Sequence, residues 1–500
     1  MSGLDLWTIA LYAVLVLGIG WFAGRGHQRS ADLHLAGRDL PGAAIAASML
    51  ATELSAATFI GVPQAAYFGD WSYLQFAFGA LAGKLVVAGW VIPAYYRSQN
   101  VTVYGFLGER LGPVSRRAAA LAFIAGRILA SGVRLFIAAL AFSVATGFDL
   151  SSAILLSGAV SGTYTLFGGI RSVVWTDTLQ AFVFLLGAAA LLYVLSATTP
   201  GDLEAFSRWS GEGDRLRVFH LEPLFSLTSS QTFGVGIVGG FFLTLATHAT
   251  DHDMVQRLLC ARSARSGSAS LIASALLNFP ITLLFLAVGS GIAFHHALAP
   301  PAWLSEDSAR ILPLYALHAM PAPLRGLVFA GLFAAAMSSL DSAICALGTT
   351  FSVDVLRETP HEAQRVRRAR WSTVAFSFAI MGAAMTMALY HQALNTPGSA
   401  APVSLIEFAL SAMTVLYGGL LGLFASAFLP GRRHDHAAVA ALCVGAVLGA
   451  ALFLQPLWVR GPTLAWPFWI PLSASVTAGV AWLLSRLSSH RSPPRLETSN

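Results

Sequence analysis

Apolar runs of about 20 residues recur from one end of the chain to the other, separated by short polar stretches. Each run is long enough to cross roughly 30 Å of hydrocarbon as a helix, which satisfies its own backbone hydrogen bonds away from water. The pattern predicts about thirteen spans, near 6–24, 42–67, 76–96, 118–146, 150–167, 172–197, 232–250, 267–294, 326–355, 371–391, 404–429, 437–455 and 466–485. The fold class expected is an all-α membrane protein in which the spans share one core, so the chain reads as a single domain.

Composition agrees with this pattern. Only 11% of the 500 residues are charged, against about 25% in soluble domains, and the mean hydropathy is +0.67. The net charge of +6 comes from arginines and a single lysine, Lys84, spread over short loops. They form no stripe or tail, so nucleic acid is not an expected partner. Cys260, Cys345 and Cys443 lie far apart and make no CxxC or zinc spacing. The first residues lack a basic n-region, so the first apolar run is expected to remain as a span.

Loop charges orient the bundle. With the N-terminus outside and thirteen spans, 21 of the 30 basic residues fall in inside loops, six fall outside, and Lys84, Arg127 and Arg134 fall within spans. This asymmetry favours an outside N-terminus and an inside C-terminus. The longest outside segments are 198–231 and 295–325, and the polar tail after Arg486 is short.

Polar groups inside the apolar runs are the candidate chemistry. The second span carries Glu53 at its middle, among Thr52, Ser55 and Thr58, with Gly61 and Pro63 following. An intramembrane carboxylate is costly unless it is used or paired. Small residues and a proline also suit plain helix packing. In the ninth span Ala335, Ser338, Ser339 and Ser342 follow i, i+3, i+4, i+7 spacing and share one stripe, with Asp341 at its edge. A hard cation takes several oxygen ligands of this kind, whereas each serine alone can bond back to its own helix. Asp177 sits about two turns into the sixth span, where it either pairs with Arg171 or joins a cation site. Thr244, Thr247 and His248 end the seventh span, ahead of an expected inside loop at Asp253–Arg257. Arg127 and Arg134, seven apart, lie on roughly one face of the fourth span. They can hold an anionic solute bidentately or neutralise a buried acid such as Glu53. Lys84 either snorkels or pairs. A GxGxxG match at Gly234–Gly239 has no strand before it and reads as helix packing, not as a nucleotide site.

Three of these segments together resemble the sodium:solute symporter family: the run GGIxxVxxTDxxQ at 168–180, the DMVQR run at Asp253–Arg257, and the Ser338–Ser342 stripe. The resemblance extends over about residues 6–430. It implies a LeuT-like fold of two inverted five-helix repeats plus flanking helices, the repeats beginning near 42 and near 232, each with a break. The expected organisation is a ten-helix core at 42–429, an extra N-terminal helix at 6–24, two C-terminal helices at 437–485 and a cytoplasmic tail at 486–500.

By motif match the resemblance assigns sodium to Ala51, Leu54, Ala335, Ser338 and Ser339, and a possible second cation to Asp177, Ser338, Asp341 and Ser342. Asp341 stands where sialic acid carriers resemble a serine. Expected solute positions are Glu53, Ser55, Thr58 and Gln75, with Arg127, Arg134, Thr244 and His248 as further candidates. Arg127 and Arg134 flank Ala130, the position nearest the carboxylate-binding arginine of sialic acid carriers.

The function implied is sodium-coupled symport of a small polar organic solute (a sugar, sugar acid, carboxylate or related metabolite) across the plasma membrane. Sodium is the coupling ion, with no other metal, no cofactor and no enzyme activity. The expected partners are a small-molecule solute, sodium and the lipid bilayer. A proton-coupled carrier and a transporter-like membrane receptor are the rival readings.

Overall fold

The computed structural model describes residues 1–24, 35–165, 169–303, 308–356, 361–395, 404–428, 434–459 and 461–489. Among these residues the secondary structure is helical throughout, apart from one isolated bridge between Leu40 and Ala261. In chain order the helices are α1 (Gly3–Gly24), α2 (Gly42–Glu53), α3 (Ala56–Phe68), α4 (Tyr73–Ser98), α5 (Val103–Leu111), α6 (Pro113–Thr146), α7 (Leu150–Thr165), α8 (Ile170–Thr198) and α9 (Leu203–Glu212). They continue as α10 (Phe233–Thr250), α11 (His252–Leu259), α12 (Ala264–Leu298), α13 (Ile311–Ala319), α14 (Leu324–Val355), α15 (Glu362–Leu394), α16 (Leu405–Phe428), α17 (Asp435–Phe453) and α18 (Trp469–Ser489).

Every expected span coincides with a helix or an interrupted pair. Eleven helices, and α2 with α3 taken as one bent span, are long and apolar enough to cross a membrane. The segment expected as a span at 150–167 is the 16-residue α7, about 24 Å long at 1.5 Å per residue. Among the described residues there are thus eleven candidate spans, or twelve with the bent pair counted as one, and one shorter apolar helix. The Arg residues expected in inside loops at 25, 29, 357, 432, 433, 491 and 495 lie outside the described residues. Arg257 requires a correction: it is not in an exposed loop but on α11, fully buried. The outside segments carry α9 and α13 as short caps.

Two interruptions organise the interior. Between α2 and α3 the chain runs extended at Leu54 (φ −81°, ψ 92°) and Ser55 (φ −100°, ψ 177°), and the two halves meet at 60°. Pro63 does not make this break; it lies inside α3. Between α10 and α11 a single extended residue, Asp251 (φ −85°, ψ 116°), ends one helix and caps the next by accepting from Asp253 N. α12 packs on α2, α3 and α4, α4 packs on α10, α6 packs on α7, α14 and α15, and α8 lies against both α2 and α14.

α4 and α10 approach each other closely. A Cβ at Gly79 would sit 2.2 Å from Ile237 O, and one at Gly240 2.2 Å from Phe76 O. Gly234, Gly236 and Gly239 likewise meet Phe225, Gln75 and Pro467. The glycine run is therefore a packing surface. α1 is mostly exposed apolar surface (Trp7, Leu11, Val14, Phe22) with a narrow buried stripe at Tyr12 and Val16.

Candidate ion and solute site

The α2/α3 break strips the last turn of α2 of intrahelical donors for its carbonyls, and these point toward the negative end of the helix dipole. α14 supplies what faces them. Ser338 Oγ donates to Ala51 O at 2.8 Å and lies 3.2 Å from Ala335 O, and Ser339 Oγ lies 3.3 Å from Ala335 O. Leu54 is the extended residue of the break itself. Ala51, Leu54, Ala335, Ser338 and Ser339 are all buried. Ala51, Ala335, Ser338 and Ser339 thus meet where α2 ends. Carbonyl and hydroxyl oxygens without a thiolate or imidazole suit a small hard cation such as sodium.

Beside this junction stands Glu53, with 15% of its side chain exposed. Lys84 of α4 donates to both of its oxygens, at 2.7 and 2.9 Å, and to Ser274 Oγ of α12 at 3.1 Å. His248 Nε2 lies 3.1 Å from Glu53 Oε1. The other ring nitrogen of His248 lies 3.1 Å from Thr244 O and 2.9 Å from Thr247 Oγ1. Ser55 in the break and Thr58 on α3 follow, both buried. Arg134 reaches the same break from α6, with Nη1 3.4 Å from Thr52 O and Nη2 3.7 Å from Met413 Sδ. Glu53, Thr244, His248 and Lys84 are therefore near neighbours, while Arg134 touches the break at Thr52 O. Sequence reasoning left Lys84 outside the solute set, although its position as the sole lysine, in mid-span, was the signal.

Two other expected solute residues are engaged elsewhere. Gln75 Nε2 donates to Ser72 O at 3.1 Å and to Gln231 O at 2.8 Å, and its Oε1 accepts from His220 N at 3.1 Å. The side chain fastens the 213–232 segment to α4. Arg127 is fully buried between Asp251, at 3.0 Å, and Asp253. Of the alternatives open for Arg127, neutralising an acid is the one observed, and the acids are not Glu53.

Arg127 belongs to a larger network. Arg257 donates to Asp253 Oδ1 at 2.7 Å, to Asp177 Oδ2 at 3.2 Å and to Ser48 Oγ at 2.8 Å. Ser48 donates to the same Asp177 oxygen at 2.6 Å, and Tyr417 of α16 donates to Asp251. Asp177 is paired with Arg257, while Arg171 pairs with Asp39 at 2.7 Å. Within the expected second cation set, Ser338 turns to Ala51 and Ser342 Oγ lies 3.4 Å from Ser339 O. Asp341 Oδ1 accepts from Ser342 N at 2.7 Å. No three His, Cys, Asp or Glu among the described residues are grouped to hold a metal ion.

The model of the sodium:solute symporter family matches residues 33–428. The chain belongs to that family. Its curated relatives include a sodium/sialic acid symporter of Aliivibrio fischeri, 28% identical over 91% of this chain and 88% of the relative. They also include a sodium-coupled monocarboxylate transporter of Danio rerio, 29% identical over 90% of this chain and 72% of the relative. A solved Na+-coupled sialic acid symporter in a substrate-bound outward-open state superposes with a TM-score of 0.84 at 23% identity, covering 97% of this chain and 98% of that one. At that identity the likeness establishes the LeuT-like fold. The symporter chain is thus a multi-pass membrane protein of a transporter family, and family membership makes sodium its coupling ion.

Proposed function

We propose that this symporter carries a small polar organic solute inward, with sodium bound by Ala51, Leu54, Ala335, Ser338 and Ser339. The carrying observation is the Ser338 hydroxyl at 2.8 Å from Ala51 O, which joins α14 to the carbonyl end of broken α2. An ion there takes oxygens from both helices and so favours the arrangement that brings them together. The solute site is the space beside the break, lined by Glu53, Ser55, Thr58, Thr244, His248 and Arg134, with Lys84 balancing Glu53. Sugars, sugar acids and carboxylates present the hydroxyl and anionic groups that these side chains bind. The sialic acid and monocarboxylate relatives support the anionic end of that range.

Outside sodium binds first and stabilises the solute-ready state, and release follows on the inside. The N-terminus is outside and the C-terminus cytoplasmic, on the loop-charge asymmetry. The membrane potential supplies about 2.3 kcal/mol per charge per 100 mV. Coupling follows when sodium and solute prefer the same state. Ser339→Ala tests the site: sodium activation of uptake should weaken at least about tenfold, the scale of one lost ligand to a charged group. Unchanged activation rejects the assignment. His248 on Glu53 favours a second reading, proton coupling, which replacement of sodium by choline at fixed pH separates from the first.

A further inference from the structure

Between α9 and α10 the chain runs without a helix over 213–232. Within its stretch 216–227, Leu216, Phe219, Leu221, Leu224, Phe225 and Leu227 are 38–67% exposed. Half of that stretch is thus large apolar side chain turned away from the protein, a patch that water-facing loops rarely carry. Its charged groups are Arg217, Glu222 and, when protonated, His220. Arg217 pairs with Asp214 at 3.2 Å, and His220 Nε2 lies 2.5 Å from Asp70 Oδ2.

Packing sets the level of this stretch along the bundle. The Phe219 ring centroid is 6.0 Å from that of Phe78 and 5.7 Å from that of Phe233, the first residue of α10. Phe78 lies about 8 Å inside α4 at 1.5 Å per residue, on the same exposed face as Leu85, seven residues on. Its ring is 5.0 Å from Phe279, close to the midpoint of the 35-residue α12. α4 and α12 are both long and apolar enough to cross the membrane, so the exposed face of α4 at this level meets lipid. α9, by contrast, packs Phe206 and Trp209 on Phe294, about 22 Å further along α12. The apolar stretch therefore lies at the depth of lipid, and α9 stands beyond it.

The backbone is arranged for the same surroundings. Irregular chain is tolerated at membrane depth where protein serves its polar groups. His220 N donates to Gln75 Oε1 at 3.1 Å. The carbonyls of His220, Leu224 and Leu227 accept from Phe233 N, Gly234 N and Ala465 N at 2.9, 3.0 and 2.7 Å. The main chain is thus bonded inward, to α4, α10 and the turn before α18. We infer that 216–227 is an interfacial strap whose apolar face is seated on lipid, at the boundary of headgroups and acyl chains in the leaflet at this end of the bundle. Segments of this kind bury apolar side chains about 5–10 Å into the boundary, and Glu222 keeps the strap there, since a carboxylate is costly deeper. Trp71 N donates to Arg217 O at 3.0 Å, so the strap touches lipid on one side and the end of α3, the half-helix beyond the first break, on the other. The inference rests on the membrane-spanning fold and not on the ion or the solute; naming the leaflet as the outer one rests on the orientation proposed above.

Fluorescence quenching in reconstituted vesicles tests it without any solute. In the full chain carrying Cys443→Ser, a bimane label is placed at Leu224→Cys, at Leu227→Cys or, on α9, at Glu204→Cys, and the signal of the Cys443→Ser parent is subtracted. Phosphatidylcholine brominated near the headgroup end of its acyl chains should quench the labels at 224 and 227 at least about twofold more than the label at 204, as burial at the boundary requires. Iodide in the water should give the reverse order. The strap is overturned if iodide quenches 224 and 227 as strongly as 204 while brominated lipid leaves them bright. It is equally overturned if neither quencher reaches 224 and 227 and dilution of labelled into unlabelled chain changes their emission, since a second copy then covers the face. Leu221→Asp, added to the labelled Leu227→Cys chain, places a charge at the same depth and should raise iodide quenching at 227 at least about twofold; unchanged iodide access there also rejects the lipid contact. Each labelled position is read independently, so one variant that fails to fold leaves the other to decide.

Discussion

Two ionic clusters lie inside the bundle, and they differ in closure. At the α2/α3 break, Glu53 retains 15% exposure and is held by one ammonium and one imidazole. Around the α10/α11 break, Asp177, Asp251, Asp253, Arg127 and Arg257 are at most 1% exposed, and each guanidinium bridges two carboxylates. A pair beside accessible space can exchange a partner for a solute group. A doubly bridged network cannot do so without leaving a charge buried and alone. Buried charge by itself therefore does not mark a solute site; exposure and the number of bridging partners do.

The comparison breaks most visibly at Arg127. Arg127→Met should cost about 3–5 kcal/mol, the usual penalty for orphaning a buried charge partner, read as a large drop in melting temperature. A loss under about 1 kcal/mol, the range of an exposed pair, would make the network no more closed than the surface. Lys84→Met should cost less, about 1–3 kcal/mol, because Glu53 is partly exposed and His248 remains, yet uptake should be lost. The double variant Lys84→Met/Glu53→Gln should recover part of that stability, a coupling expected of direct partners. Absence of recovery would deny that the two groups act as a pair.

Ser339→Ala should cost about 0.5–1.5 kcal/mol, the net worth of its bond back to Ala335 O, so its effect on sodium activation is read well below the melting temperature. The smallest effect is expected at Gln75. Gln75→Ala should loosen the 213–232 segment and leave the solute KM within about twofold, since a residue not contacting solute contributes no binding energy. A tenfold rise would return Gln75 to the solute site.

What the sequence made legible follows from how the information is stored. Spans are local: each apolar run bonds its own backbone, so position and length alone reveal it. The serine stripe of α14 was equally legible, because 3.6-residue periodicity fixes which side chains share a face. Pairing across helices was not. Glu53 and Lys84 are 31 residues apart, and Glu53 and His248 are 195 apart. Nothing in either segment names the other. The break at Asp251 left a trace in the run Thr250-Asp251-His252-Asp253, where an aspartate can cap a new helix. It read instead as the end of a span and the start of a loop, because the helix that follows is short and polar. Arg127 illustrates the same limit: its position inside the membrane was evident, but the choice between a solute anion and an internal acid depends on a helix more than a hundred residues away.

The central claim is that a sodium gradient drives solute through the space beside the α2/α3 break. Its most direct measurement is uptake into proteoliposomes of a panel of radiolabelled sugars, sugar acids and carboxylates, at one fixed pH, with an inward sodium gradient or an equal gradient of choline. The account predicts that at least one solute accumulates above equilibrium with sodium and only equilibrates with choline. Accumulation that is equal in choline, or that follows a proton gradient with sodium absent, would contradict it.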